Sequence, residues 1–363
     1  MLLPFIILLI IVSVYLFLKQ PSFGAISGGK RLERIRQSPN YRDGKFQNLS
    51  ETPMMTKDAS MPKIMWNFLF NREKTDPEKP IPTVKSNLKA PTNGKTIITW
   101  FGHSSYFLLM DGVNILVDPV FSQRTSPVQW FGTKAFLGTS IYGADDFPEI
   151  DVLLLTHDHY DHLDYNTIKN FKTKIKRFIT TLGVGAHLEK WGIEGDKITE
   201  LDWNDEIIIQ NNIKINCLTA RHFSGRGMTK RNQSLWASFA IKSSSANIYI
   251  GGDSGYDAHF AAIGNKFGPF DLAILECGQY NKFWPYIHMM PEQTAQAAKD
   301  LKADVLLPVH WGKFKLSSHF WSEPVNRVKT KANEIGQKIT TPMIDEQIIL
   351  GEKYPDKKWW ENI

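Results

Sequence analysis

The sequence has almost no cysteine, with only Cys217 and Cys277 among 363 residues. Two cysteines cannot form a disulfide framework, so a small disulfide-stabilised secreted fold is excluded. Each lies in an apolar run, and we therefore expect two buried, inert thiols. Low-complexity tracts and short-period repeats are also missing, which excludes fibrous and solenoid proteins. With 42% hydrophobic residues, the chain is long enough to form a large globular core.

A strong excess of one charge is likewise missing. The 43 basic and 37 acidic residues give a net charge of +6, which mildly favours anionic partners such as phosphates or membrane surfaces. The sequence has no Lys/Arg stripe and no nucleic-acid-binding motif, so we do not expect nucleic acid as a partner. Aromatic residues reach 12%, a content typical of proteins that handle apolar ligands or lie near lipid, although large cores also use aromatics.

Long uncharged runs are confined to the N-terminus. Residues 2–18 carry no charge and, at a helical rise of about 1.5 Å per residue, extend roughly 25 Å, the lower limit for a membrane-spanning helix. We interpret residues 1–19 as a membrane anchor. A cleaved signal segment is the alternative, although no basic residue precedes the run and the cleavage site after it is weak. Because Lys and Arg lie only after the run, the positive-inside rule predicts a membrane-associated protein whose main domain is cytoplasmic.

The rest of the chain divides into two regions that differ in composition and in hydrophobic periodicity. Residues 20–93 are rich in Pro, Lys, Asn, Ser and Asp and lack sustained periodicity, which predicts an extended arm that wraps a domain and contains one short helix. From residue 94 to 363, many apolar strands alternate with helical stretches without a break, which predicts one α/β domain of two layered sheets. Pro291 opens a predicted helix over 292–301, and Met110-Asp111-Gly112 predicts a hairpin turn. The predicted strands are 96–100, 106–109, 113–117, 151–155, 178–181, 207–209, 213–218, 236–241, 247–250, 272–275 and 304–309.

A histidine-rich motif, His-Asp-His-Tyr-Asp-His at 157–162, directly follows the apolar strand 151–155. Three of the chain's 10 histidines therefore lie in one loop at a sheet edge. Neutral imidazole and carboxylate are good ligands for zinc-like ions. Three further predicted strands are followed by possible ligands, at His222, Asp253 and His310. If the histidines had clustered in a solvated loop by chance, possible ligands would not be expected after three other strands as well. We therefore predict a metal site.

The number of candidate ligands predicts two ions. One tetrahedral zinc uses three or four protein ligands, and the sequence offers more than that. Asp253 is the expected bridge between the ions, because a carboxylate has two oxygens and a neutral imidazole does not bridge. The predicted metal ligands are His157, His159, Asp161, His162, His222, Asp253 and His310.

These motifs and their order resemble the metallo-β-lactamase superfamily. The resemblance implies a four-layer αβ/βα sandwich, here with an added N-terminal hydrophobic helix, and two Zn²⁺ or similar ions at one sheet edge. It implies that His157, His159 and His222 hold the first metal. It implies that Asp161, His162 and His310 hold the second, with Asp253 shared.

Within the superfamily, the segments 36–44, 100–105, 251–256, 267–273 and 310–312 resemble the N-acylphosphatidylethanolamine-hydrolysing phospholipase D group and its bacterial relatives. This resemblance implies a phospholipid substrate and a bridging hydroxide that hydrolyses a phosphodiester. The alternative is a lactonase or another carboxylic-ester-type hydrolase with a soluble substrate, because the same hydroxide attacks carbonyl carbon. A protein whose metals only brace the fold is a further alternative, and a β-lactamase is disfavoured because the common di-zinc lactamases have Cys where Asp253 stands.

Other residues are candidates for supporting roles. The resemblance places His288, just before a predicted helix, near the metals as a catalytic residue beside Asp253; a surface-loop histidine is the alternative. Asp158 is expected to be a solvated loop residue. The candidates for substrate contact, with ordinary packing as the alternative, are His103, Tyr160, Gln279 and Tyr280.

Overall fold

Two seven-stranded sheets form the centre of the structure, a computed structural model that describes residues 2–70, 75–90, 94–227 and 230–363. In spatial order, the first sheet contains β16 (Gln347–Ile349), β3 (Ile97–Trp100), β4 (Tyr106–Met110), β5 (Val113–Val117), β6 (Ile150–Leu154), β7 (Ile175–Thr181) and β8 (Ile198–Leu201). The second contains β15 (Lys338–Ile339), β14 (Ala303–Val309), β13 (Phe270–Glu276), β12 (Asn247–Ile250), β11 (Ser238–Lys242), β10 (Lys214–Leu218) and β9 (Glu206–Ile208).

The two sheets have the same internal plan. In the first sheet, β16, β3, β4 and β5 pair antiparallel, and β5, β6, β7 and β8 pair parallel. In the second, β9 to β12 pair antiparallel and β12 to β15 pair parallel. Parallel strands need crossover connections, which supply helices for the outer faces.

Helices cover the outer face of each sheet. Ile168 of α4 and Leu188 of α5 belong to one apolar cluster with Phe107, Leu116 and Leu153 of the first sheet. A larger cluster joins the facing sides of both sheets to the apolar faces of α6, α7 and α8. The layers are therefore helix, sheet, sheet and helix, which confirms the predicted four-layer α/β sandwich. The helices of this domain are α4 (Tyr165–Phe171), α5 (Gly185–Lys190), α6 (His259–Phe267), α7 (Pro291–Asp300) and α8 (Glu323–Glu334).

Most predicted strands lie within two residues of an observed strand. The predicted hairpin joins β4 and β5 through Asp111 and Gly112, whose φ angles of 47° and 77° fit a two-residue turn with both central residues left-handed. Helix α7 begins at Pro291, where a missing N–H costs nothing. Both cysteines are buried and free, as predicted.

The N-terminal region contains more regular structure than predicted. It holds α1 (Leu2–Leu18), α2 (Gly29–Gln37), a two-stranded ribbon of β1 (Tyr41–Arg42) and β2 (Lys45–Phe46), and α3 (Met61–Phe70). The arm therefore contains two helices, α2 and α3, where the sequence pattern indicated one. Helix α2 is held by Arg31, whose guanidinium lies 2.7 Å from carboxylate oxygens of Glu189 and Glu200. None of the helices in the described ranges combines the length and apolarity needed to cross a membrane.

Two buried ionisable side chains, Lys313 and Asp345, lie behind the sheet edge that carries the predicted ligands. Lys313, which is fully buried, donates hydrogen bonds to the carbonyls of Phe101 and Val120 at 3.3 Å and 2.9 Å. Asp345 is 1% exposed, and neither of its carboxylate oxygens has a hydrogen-bond partner in the described ranges. Burial raises the pKa of Asp345 to about 8, although the Lys313 charge opposes the shift.

We predict that Asp345→Asn removes a pH-dependent loss of stability. Because the folded pKa of Asp345 lies above its ordinary value of 3.8, the protonated acid stabilises the fold below pH 3.8. That contribution declines as the pH rises and is lost once the pH passes about 8. Urea titrations at pH 5, 7 and 8.5 should therefore show the variant gaining stability over the wild type as the pH rises. Asp196→Asn, at an exposed position, is the control, and an equal pH trend in both variants would contradict the assignment.

Candidate metal centre

Four strand ends place the predicted ligands at one edge of the two sheets. Strand β6 leads into the 157–162 loop, and β10, β12 and β14 lead to His222, Asp253 and His310. The ligand atoms form two groups, and within each group all lie within 4.8 Å of one another. One group is His157, His159, His222 and Asp253, and the other is His103, Asp161, His162 and His310.

Asp253 lies between the two groups and is 3% exposed. Its Oδ2 is 3.2 Å from His162 Nε2, 3.8 Å from His222 Nε2 and 3.9 Å from His157 Nε2. Its Oδ1 is 3.3 Å from His310 Nδ1. One carboxylate therefore touches imidazoles of both groups, which is the position that a bridging ligand requires.

In the first group, three imidazole nitrogens converge. His159 Nδ1 lies 2.9 Å from His157 Nε2 and 3.2 Å from His222 Nε2. His222 Nδ1–H donates to the Ile287 carbonyl at 2.8 Å, which leaves Nε2 as the lone-pair nitrogen. Burial holds the pKa of His157 and His222 well below their ordinary value, so both rings are neutral. Neutral imidazole is the form that binds a metal.

The second group has the same construction. His162 Nδ1–H donates to Asp118 at 2.8 Å, so Nε2 faces Asp253 and Asp161. His103 is fully buried, and its Nε2–H donates to Asp161 Oδ2 at 2.9 Å. His310 Nδ1 lies 2.8 Å from Ser104 Oγ.

The donor atoms fit divalent cations. His159 Nε2, His162 Nε2 and Asp253 Oδ1 are buried and have no hydrogen-bond partner in the part of the chain that the structure describes. Buried polar groups without partners are costly in a protein interior, and lone pairs that point at one another repel. Divalent ions held by these imidazole and carboxylate ligands would satisfy these atoms. The structure therefore supports the predicted metal binding, without identifying the metal.

Beside the centre, His288 is paired with a buried carboxylate. Its Nδ1–H donates to Glu276 Oε2 at 2.8 Å, and its ring lies 5.1 Å from that of His222 and 5.3 Å from that of His310. Glu276 also accepts the Met289 N–H, so the carboxylate is fixed. Burial lowers the pKa of His288, but the Glu276 carboxylate outweighs it and raises the pKa to about 9. His288 therefore lies beside the candidate metal centre, and its Nε2 is not used by the hydrogen bond to Glu276.

Sequence reasoning missed two residues that orient predicted ligands. Asp118, directly after β5, accepts from His162 and from the backbone and hydroxyl of Thr156. Asn48 of the arm accepts the His222 N–H at 3.1 Å and donates to the His222 carbonyl at 2.7 Å. For Asp118, a signal existed, because it ends a strand on the same sheet edge as the histidine motif. Asn48 had no signal, because it lies in an unpatterned segment 174 residues from His222.

The substrate candidates have different surroundings. Tyr160 donates to the Arg226 carbonyl at 2.6 Å and packs under that guanidinium. Gln279 donates to the carbonyls of His310 and Phe314, and so braces the loop after β14. Tyr280 lines a cavity of about 780 Å³. That cavity is also lined by Ile64, Phe283, Trp284, Met290, Leu316 and Arg327.

The expectation for Asp158 is wrong. Asp158 is 3% exposed and accepts hydrogen bonds from the Gly225 N–H and the Ser234 hydroxyl, both at 2.8 Å. His187 adds a third contact at 3.3 Å. Its neighbours His157 and His159 are candidate ligands, so Asp158 ties the histidine loop to the second sheet from behind.

The family model for the β-lactamase superfamily domain matches residues 113–311, more than half of the chain. This range contains β5 to β8 of the first sheet and β9 to β14 of the second. The chain belongs to the β-lactamase superfamily. The metal-binding histidines and aspartates at its sheet edge make it a metal-dependent hydrolase of that superfamily.

Relatives and solved structures agree with this assignment. The hydrolase is 39% identical over 329 residues to an uncharacterised protein of Mycobacterium tuberculosis, covering 89% of this chain and 88% of that one. It is 32% identical over 244 residues to N-acyl-phosphatidylethanolamine-hydrolyzing phospholipase D 1 of Caenorhabditis elegans, covering 64% and 68%. The metallo hydrolase Igni18 of Ignicoccus hospitalis shares the fold, with a TM-score of 0.55 at 22% identity over 71% of this chain and 100% of that one.

We predict that Asn48→Ala weakens metal retention. Loss of both hydrogen bonds to the His222 backbone should lower metal affinity about 10-fold, a typical effect of removing a group that orients a ligand. Competition with a chelator measures this directly. Gln47→Ala is the matched control, because Gln47 bonds only within the arm. Equal metal affinity in the wild type and both variants would contradict the positioning role.

Proposed function

We propose that this hydrolase is a phospholipase D-type phosphodiesterase that cleaves N-acylphosphatidylethanolamine-like lipids at a membrane. The observation that carries the proposal is the pair of histidine and aspartate groups meeting at Asp253, with His288 alongside. Nitrogen and oxygen donors without a thiolate suit hard ions and phosphate chemistry. The seven predicted ligands would hold the ions, and His103 would orient Asp161.

The chemistry divides between the ions and the protein. When bound, two divalent ions polarise a phosphoryl group and make water acidic enough to serve as the nucleophile near neutral pH. The protein keeps His157 and His222 neutral by burial. It orients three candidate imidazoles through Asp118, Ser104 and the Ile287 carbonyl. Fixed ligand orientation of this kind is what holds a metal site in one geometry.

His288 would act on the phosphoryl group or the departing oxygen. Because Glu276 holds its Nδ1–H, the opposite nitrogen is available to donate a hydrogen bond toward the centre. The Glu276 carboxylate favours the protonated ring, and a ring N–H facing the centre suits a donor to a negatively charged oxygen. Asp253 and His288 are thus the two residues we assign to the reacting atoms.

The substrate class rests on two supports. The 780 Å³ cavity beside Tyr280 has a largely apolar surface, to which Phe283, Trp284 and Leu316 contribute. Met290 in its wall is two residues from His288, which suits a substrate with acyl chains. The named Caenorhabditis elegans relative hydrolyses N-acyl-phosphatidylethanolamine, as its name states. The uncharged helix α1, whose side chains are largely exposed, supports membrane association.

We predict release of free N-acylethanolamine from N-acylphosphatidylethanolamine in vesicles, measured by mass spectrometry. Asp253→Ala should lower the rate by more than about 10³-fold, since it removes a ligand shared by both groups. Asp271→Ala, at the opposite end of β13, should leave the rate unchanged. A generic phosphodiester and a lactone complete the panel. Turnover of the lactone alone would contradict the proposal and favour the carboxylic-ester alternative.

We predict that His288→Gln lowers kcat by about 10²-fold or more with little change in KM, as expected for loss of a proton donor. Glu276→Gln should give a smaller loss of kcat, because an amide NH₂ at the Oε2 position no longer accepts from Nδ1. Steady-state kinetics with circular dichroism as a folding check tests both. An unchanged kcat in folded His288→Gln would remove His288 from the reaction.

A further inference from the structure

Helix α1 exposes apolar side chains that the described part of the chain does not cover. It contains no charged residue, and its exposed side chains lie all around the helix, for example Leu3 at 69% and Leu16 at 61% exposure. A helix that is apolar on every side is stable only when it is buried in a protein core or in lipid. Within the described residues this apolar surface is therefore open to another molecule.

A second exposed apolar feature comes from the loop between β5 and β6. Trp130 and Phe131 are 74% and 69% exposed at its tip. The loop is not loose there, because Arg124 donates to the carbonyls of Gln129 and Gly132 across the turn. The sides of the loop are also joined by backbone hydrogen bonds. Two large aromatic side chains are thus held outward on a braced support, although burying them in the core would have been favourable.

The two features meet. The Phe17 ring of α1 lies 6.4 Å from the Trp130 ring, centroid to centroid. The loop that carries Trp130 starts beside the metal centre, at Asp118, and returns to it where the Phe136 N–H donates to the Lys313 carbonyl at 2.8 Å. The exposed apolar surface and the metal centre therefore belong to the same edge of the sandwich.

Basic side chains border this surface. Lys19 directly follows α1, and Lys190 donates to the carbonyls of Lys19 and Gly24, so the Lys190 ammonium group lies at the end of the helix. Lys134 is exposed on the same loop as Trp130. An apolar surface with a basic border matches a bilayer that has anionic headgroups, because acyl chains accept the apolar part and phosphates the basic part.

We propose that α1, Trp130 and Phe131 form one lipid-binding face, which docks on anionic phospholipid bilayers and turns the metal-bearing edge toward them. Trp is favoured at the interface between headgroups and acyl chains, where its ring is partly apolar and its N–H finds a partner. The proposal deepens the proposed function and rests on it for the claim that the substrate is taken from the bilayer. The docking itself stands on the exposed side chains and their charges.

The test is vesicle flotation with the full chain and the double variant Trp130→Ser/Phe131→Ser. The probes are phosphatidylcholine vesicles with and without phosphatidylglycerol. The wild type should bind the anionic vesicles more tightly, and the double variant should bind them about 10-fold more weakly or worse, from the lost burial of two aromatic rings. Ile208→Ser, an equally apolar and 58% exposed position on β9, is the matched control and should bind like the wild type.

Two results would overturn the proposal. One is undiminished vesicle binding by the double variant, and the other is dissociation of a stable oligomer by that variant, which would identify a second copy as the partner. Turnover of a short-chain soluble phosphodiester should be unchanged in the double variant, which checks that the metal centre is intact. Because flotation does not depend on catalysis, loss of binding in a protein without phospholipase D activity would preserve the face and reject the proposed function.

Discussion

The structure depends on an electrostatic constraint at Asp253. One buried carboxylate lies within 4 Å of imidazole nitrogens from four histidines. Nitrogens of His157 and His222 also face His159 Nδ1 at 2.9 Å and 3.2 Å. Such an arrangement is unfavourable in a low-dielectric interior unless cations occupy it. The metal-dependent character of the hydrolase follows from this constraint more directly than from any single motif.

The two packed sheets hold the ligands of this centre in fixed positions. They repeat one plan, and each contributes strand ends to the same edge: β6 from the first sheet and β10, β12 and β14 from the second. Loops that begin on packed strands have little freedom, so the ligand atoms stay close without help from a disulfide. Hydrogen bonds with Asp118 and Ser104 then set the ring orientations of His162 and His310, and Asn48 holds the backbone of His222.

The local patterns in the sequence predicted more of the centre than of its surroundings. An apolar strand followed by a metal-ligating residue is a short-range signal, and it found β6 with His157 and β14 with His310. Asn48 and Glu276 were missed because their roles depend on tertiary contacts. Asn48 bonds the backbone of His222, far along the chain, and Glu276 accepts from the Nδ1–H of His288. Asp158 was misjudged for a related reason: its polarity indicated solvent, whereas Gly225, Ser234 and His187 bury it.

The helices show the same division. Helix α7 was predictable because Pro291 marks its start, whereas α4 and α5 are short and acquire their stability from packing on the first sheet. The arm was expected to be extended. Its helix α2 is stabilised on the α/β domain by the ion pairs of Arg31 with Glu189 and Glu200. Tertiary contacts, which local periodicity does not encode, decided these elements.

Elemental analysis of the purified chain tests the central claim most directly. Two groups that share Asp253 should bind about two divalent ions per chain, and His222→Ala and His310→Ala should each reduce the content toward one ion, because each removes a ligand from a different group. A wild-type content near zero, or a content of one ion that only one of the two variants removes, would contradict the account.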